Sequence, residues 1–129
     1  MSSEFNLNYL NFSEFFSYAD CVDTNLIAHT GGRMVFFKNG KILLTIGDWT
    51  WEHMVLAQDK NSIFGKIISI DIKSKDYEII AMGSRNAQGL YYDEDRDIII
   101  HTEHGPIGGD EININLHPDN KIIEDRKSV

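Results

Sequence analysis

The chain has 129 residues and a mass of 14.8 kDa, with 42% apolar and 11% aromatic residues, the size and composition of one domain able to bury a core. Its 20 acidic against 12 basic side chains leave a net charge of −8 and a pI near 4.9, which excludes a general surface for nucleic acid or anionic membrane. The longest apolar runs, such as Ile98 to Ile100, fall far short of the ~20 residues of a membrane-spanning helix, and the single cysteine, Cys21, excludes an intramolecular disulfide and a multi-cysteine zinc site.

In chain order, Met1 to Phe12 has neither a basic start nor a continuous apolar stretch, so it is not a secretory signal. Large apolar groups crowd this end, from Phe5, Leu7 and Tyr9 to Phe15, Phe16 and Tyr18, and predict a structured segment over residues 1–27. Alternation at Phe5, Leu7 and Tyr9 suits a strand, while Phe12, Phe15 and Phe16 around a Ser13 cap suit a short helix. Cys21 has no activating neighbour and reads as a packed or spare thiol.

From residue 33 onward, short runs rich in Ile, Val, Phe and Tyr predict strands at 33–38, 41–47, 66–72, 77–82, 90–93, 97–103 and 111–116. The connectors Lys38-Asn39-Gly40-Lys41, Lys73-Ser74-Lys75-Asp76 and Asp93-Glu94-Asp95-Arg96 are polar and turn-forming, so neighbouring strands should be antiparallel hairpins. Trp51 to Ser62 is a loop or brief helix, long enough to carry function.

A repeat appears at an offset of 56 residues: Met34 to Leu44 lies over Leu90 to Ile100, each a strand, a polar turn and a second strand, with another hairpin from Lys66 to Met82 between them. A repeat of four strands is a propeller blade, which predicts an all-β fragment of about two four-stranded antiparallel blades over residues 28–129. An ordinary meander of similar hairpins is the alternative. With the first turn centred between Asn39 and Gly40, Asp48 lies opposite Gly31 and emerges at the same end as His29. His104 faces Asn86 in the second hairpin, and the offset carries His29 onto Arg85 and Asp48 onto His104, so these positions share one rim.

The stretches Gly83 to Leu90 and Thr102 to Asn113, with Ala28 to Met34, Ile46 to Trp49, Gln58 and Phe64 to Ile67, resemble the soluble quinoprotein sugar dehydrogenases of the glucose/sorbosone dehydrogenase family over residues 28–116. The resemblance implies a six-bladed propeller holding pyrroloquinoline quinone (PQQ) and calcium on one face and oxidising aldose sugars or related alcohols. It implies His29 as the general base taking a sugar hydroxyl proton while hydride moves to the quinone, and Asp48 as the carboxylate that orients it. Arg85 and Asn86 match a cofactor-contacting pair suited to carboxylate and carbonyl oxygens, and Gln88 either joins them or buttresses the backbone. Gly105 and Pro106 match positions whose carbonyls ligate calcium, Gly108 and Gly109 free the loop's dihedrals, and Asp110 and Glu111 are further ligand or supporting candidates. His104 has no recognised transition-metal spacing with His101 or His53.

The chain departs from the family where Leu116 leads into His117-Pro118-Asp119 instead of a Gly-Asn-Tyr-Gly-Trp-Pro type motif, and where Ala87 stands in place of a proline. The expected partners are a small sugar, an electron acceptor, and either the remaining blades or further copies that cover the open strand edges. The family's typical export implies a periplasmic or secreted place, although no signal is legible in the chain. Two functions follow: a part of a quinoprotein dehydrogenase, or a propeller-derived binding or structural module without catalysis, with a calcium-dependent lactonase-like hydrolase as a weaker third.

Overall fold

The alternating apolar pattern folds as two antiparallel sheets in a computed structural model of the chain, which describes residues 11–19, 28–49, 53–119 and 123–124. The strands are β1 (Gly31–Phe37), β2 (Lys41–Ile46), β3 (Lys66–Asp71), β4 (Tyr77–Met82), β5 (Ala87–Asp93), β6 (Ile98–Glu103), β7 (Glu111–Asn115) and the two-residue β8 (Ile123–Glu124). One sheet runs in the order β1-β2-β3-β4-β8 and the other β5-β6-β7. The first thus contains the expected four-stranded antiparallel blade. The second has three strands among the described residues, because β8 pairs in parallel with β4, Ala81 against Ile123.

The first turn is one residue longer than expected. Phe37 pairs with Lys41, leaving Lys38, Asn39 and Gly40 as a three-residue loop in which Asn39 (φ 59°) and Gly40 (φ 70°) are left-handed. A further irregularity between Gly31 and Met34 sets Gly31 against Ile46. Asp48 therefore lies across from His29 rather than Gly31, between the Gly47 N–H to Thr30 C=O bond of 3.1 Å and the Ala28 N–H to Trp49 C=O bond of 3.3 Å. A register cannot be inferred correctly when the loop length is misjudged, since each residue of slip moves every partner. The second hairpin keeps its expected partner: the His104 N–H donates to the Asn86 carbonyl at 3.0 Å.

The sheets meet through the face of β1, β2 and β3 that carries Val35, Phe37, Leu43 and Ile67, closed by Leu90, Tyr92 and Ile99 from the second sheet. Leu43, Ile67 and Ile99 are essentially inaccessible, and each such side chain contributes about 1.5–3 kcal/mol of burial. Phe37 and Tyr92 cross edge to face with centroids 4.7 Å apart. Polar clamps flank this core. At the turn end, Asp97 accepts from Lys38 Nζ at 2.7 Å and from the Tyr92 hydroxyl at 2.7 Å. Towards the other end, Thr45 Oγ1 donates to the Ala87 carbonyl at 2.8 Å and Arg33 Nε to the Gln88 carbonyl at 3.0 Å.

Residues 11–18 contain no helix, contrary to the expectation of a cap at Ser13. The segment instead spends its aromatic rings on the first sheet: Phe16 and Tyr18 set their edges against Tyr77, Tyr18 also meets Phe64, and Lys75 lies over the Phe15 ring. The strand expected at residues 5 to 9 and the reading of Cys21 lie outside the described residues. Trp51 to Ser62 contains a short 3₁₀ turn, Met54–Gln58.

Candidate functional site

Beyond the end of β2, Gly47 to Trp49 runs between two neighbours. On one side Gly47 N–H donates to Thr30 C=O (3.1 Å) and Trp49 N–H to His29 C=O; on the other Asp48 N–H donates to Arg85 C=O (3.0 Å). The passage is so narrow that a Cβ at Gly47 would stand 1.6 Å from the His29 carbonyl oxygen, so no side chain fits there. Backbone contacts thus fix His29, Asp48 and Arg85 on one rim, as the repeat predicts.

His29 Nδ1 stands 3.0 Å from Asp48 Oδ1, with side chains only 13% and 7% exposed. The carboxylate accepts from Nδ1–H, which assigns the tautomer with the basic lone pair on Nε2. His29 holds φ 57°, a left-handed conformation that costs a non-glycine residue about 1 kcal/mol or more and persists only where the surroundings enforce it. Asn86 is buried and its Oδ1 accepts the Gly31 N–H at 3.2 Å, which ties the second sheet to the start of β1.

Arg85 reaches the other way. Its guanidinium donates to the His104 carbonyl at 3.0 Å and helps line an open depression of about 700 Å³ with His104, Gly105, Pro106, Ile107, Gly108 and Asp110. Asp110 Oδ1 accepts the Gly105 N–H at 3.1 Å and lies 2.9 Å from His104 Nδ1. The Gly105–Gly109 approach is equally tight, since a Cβ at Gly105 would meet the Gly109 carbonyl at 1.8 Å. The rim therefore brings His29, Asp48 and Arg85 together by direct bonds, Asn86 joins through Gly31 and His104, and Gly105, Pro106 and Asp110 share the depression that Arg85 lines. Gln88 engages Arg33 through its backbone carbonyl, and the residue is exposed.

Three supporting residues escaped the assignment of roles. Glu103 is buried and accepts the Arg85 N–H, holding the residue that bears the guanidinium. Thr45 bridges the sheets. Lys66 is inaccessible, and its Nζ donates to the carbonyls of Leu56 (2.8 Å), Ala57 (2.9 Å) and Phe64 (2.8 Å), fastening the 3₁₀ turn beneath the rim. Burial pushes its pKa down to about 8, opposed by the charge of Asp59. Glu103 and Lys66 lie inside the stretches of family resemblance, which was the available signal; Thr45 had none.

Residues 9–120 match the model of the family described as Glucose / Sorbosone dehydrogenase. The chain belongs to that family. It is 33% identical over 99 residues to Aldose sugar dehydrogenase YliI of Escherichia coli (strain K12), covering 67% of this chain and 26% of that protein. Among solved structures it resembles the soluble aldose sugar dehydrogenase of Escherichia coli in the apo-form (31% identity, TM-score 0.56, 67% of this chain and 28% of that one). It also resembles the PQQ-bound aldose sugar dehydrogenase of Streptomyces coelicolor (26% identity, TM-score 0.58, 67% and 27%). The chain thus spans about a quarter of the length of the curated relative. No helix among the described residues is long and apolar enough to cross a membrane.

The rim's donors suit a quinone bearing carboxylates: a guanidinium at the mouth of an open depression, beside a sheltered imidazole held by a carboxylate. The fit to calcium is poorer. Calcium takes six to eight oxygens, whereas the Pro106 carbonyl accepts the Gly109 N–H at 2.6 Å and Asp110 is engaged by Gly105 and His104. No group of three or more His, Cys, Asp or Glu able to hold a metal occurs among the described residues. The Gly105 and Pro106 carbonyls expected to ligate calcium belong to this loop, with Asp110 beside them in the same depression.

Proposed function

We propose that this chain supplies the base-bearing rim of a PQQ-dependent sugar dehydrogenase acting on aldoses or related alcohols, in the periplasm or outside the cell. The observation that carries this reading is the His29 Nδ1 to Asp48 Oδ1 contact of 3.0 Å, sheltered and directly bonded through the backbone to the strand end that bears Arg85. PQQ, when bound, supplies a two-electron acceptor for the hydride that leaves the sugar carbon. His29 Nε2 takes the proton of the hydroxyl that this carbon bears, and Asp48 stabilises the imidazolium so formed. Arg85 and Asn86 would hold the anionic cofactor, and the carbonyls of Gly105 and Pro106 would ligate calcium. Loss of the hydride and the proton turns the C–OH into C=O, a lactone from the anomeric carbon of an aldose and an aldehyde or ketone from an ordinary alcohol.

A catalytically silent propeller-derived module is the second reading, favoured by one fact: the aligned part amounts to 26% of the curated relative, so most cationic groups of a whole propeller lie outside the chain. Dye reduction separates the two. The chain alone with PQQ and calcium should turn over no sugar at a useful rate, because a −8 chain presents its rim to open water, where each contact is weaker. A longer protein or a complementing fragment should restore turnover. If complementation restores a closed propeller and PQQ binding but no dye reduction, the silent module is the correct reading.

A further inference from the structure

His29 and Asp48 lie on two neighbouring segments of the first sheet's end, yet both segments are held by one short stretch at the start of the second sheet. The Asp48 N–H donates to the Arg85 carbonyl at 3.0 Å, and the N–H of Gly31, two residues beyond His29, donates to Asn86 Oδ1 at 3.2 Å. The first bond joins backbone to backbone and is indifferent to sequence. The second runs through a side chain, so it depends on which residue occupies position 86.

The segment that carries His29 requires such a restraint. His29 (φ 57°), Gly31 (φ 67°) and Gly32 (φ 95°) are left-handed, and a histidine keeps that conformation only where its surroundings enforce it. The pairing of β1 with β2 is irregular between Gly31 and Met34, so the regular ladder does not fix this stretch. On the β2 side the Gly47 and Trp49 amides bond to the carbonyls of Thr30 and His29. From the second sheet the restraint comes through Asn86, a residue only 6% exposed. Because the Gly31 N–H is a donor, the oxygen of the Asn86 amide faces it, which leaves Nδ2 as the donor end of the same group.

We propose that Asn86 is a positioning residue for His29: through Gly31 it holds the left-handed backbone that sets Nδ1 against Asp48 and keeps Nε2 as the basic nitrogen. This role rests on the reading of His29 as the base. It is separable from the cofactor contact expected of Asn86, because the two use opposite ends of the amide, Oδ1 for Gly31 and Nδ2 for an anion. Asn86→Asp keeps an oxygen towards Gly31 and removes the donor, whereas the nearly isosteric Asn86→Leu removes both.

Nitrogen-15 NMR of the full chain tests this without cofactor or turnover. With its signals assigned by their loss in His29→Gln, the His29 ring should show the single Nδ1–H tautomer at about pH 9, where an imidazole is neutral. At neutral pH the Gly31 amide should exchange with deuterium about tenfold or more slowly than an unbonded amide. Asn86→Asp should keep both signatures. Asn86→Leu should speed Gly31 exchange about tenfold and let the His29 ring populate both tautomers, while the circular dichroism spectrum stays unchanged. A single tautomer and a slow Gly31 amide in Asn86→Leu overturn the proposal, as does the loss of both signatures in Asn86→Asp. Should Asn86→Leu not fold, the unmodified chain decides: a Gly31 amide that exchanges there as an unbonded one overturns the proposal. A failure of the base assignment is distinct, since it is read from the turnover of His29→Ala and leaves these spectra as they are.

Discussion

His29 Nδ1 and Asp48 Oδ1 stand 3.0 Å apart on neighbouring segments beyond the strand ends, with the Gly47 backbone too close to His29 to admit a side chain. Nineteen residues separate the pair in sequence, and a β-hairpin brings them together at its open end. The pairing is a property of the hairpin's register and not of a flexible loop. That makes its loss measurable by single substitutions.

Asp48→Asn should keep the fold and the cofactor affinity but lower sugar turnover in the completed enzyme about a hundredfold or more. An amide can accept from Nδ1–H but does not carry the charge that steadies an imidazolium. Steady-state dye reduction with a PQQ titration checks this. An equal loss in cofactor affinity would instead mean that Asp48 shapes the binding site.

Gly47→Ala should destabilise the chain by about 1–3 kcal/mol, the usual range for forcing atoms into a filled space, because its Cβ meets the His29 and Arg85 carbonyls. Urea unfolding should show a lower midpoint. The nearby Gly32→Ala, with nothing within 4 Å of its Cβ, is the control for backbone strain alone, since its φ of 95° already disfavours a side chain.

Much of this was legible in the sequence, and the exceptions have physical causes. Asn39-Gly40 between apolar strands announced the first hairpin, and period-two alternation gave every strand from β1 to β7 within a few residues. The common rim followed from the repeat. Loop length was not legible, because Asn-Gly serves both two- and three-residue turns, and the partner of Asp48 shifted accordingly. The Ser13 helix failed because tertiary contacts of Phe16 and Tyr18 outweigh local propensity. Lys66 carried no assigned role in the sequence; only the folded turn reveals three carbonyls aimed at its ammonium.

Lys66→Met should therefore cost about 2 kcal/mol or more, since three carbonyls lose a charged donor where water does not replace it. Hydrogen exchange should accelerate at the Leu56 and Asp59 amides, whose bonds close the 3₁₀ turn, and at Gly83, whose N–H donates to Ala57. Loss of global stability with unchanged exchange at those amides would place the role of Lys66 elsewhere.

Acid should loosen the turn-end clamp. Hydrogen bonds from Lys38 and then Tyr92 hold the Asp97 carboxyl below the usual carboxylate range, and burial followed by the Asp97 bond pushes the Tyr92 hydroxyl up to about 12. A depressed carboxylate contributes stability that is complete above its unfolded pKa near 3.9 and is lost as pH falls through the lower folded value. Asp97 is partly exposed, so the contribution is about 0.5–1 kcal/mol. Stability measured from pH 6 down to pH 2 should fall less steeply for Asp97→Asn than for the unmodified chain; parallel curves would remove Asp97 from the explanation.

The base assignment is tested most directly by the turnover of His29→Ala, compared with the unmodified residue, in the protein completed by the part of its relatives that this chain does not span. With sugar saturating and PQQ binding verified, the substitution should lower dye reduction at least about a hundredfold while leaving the cofactor bound. Quinone-dependent turnover that is unchanged by His29→Ala would contradict the assignment of His29 as the base.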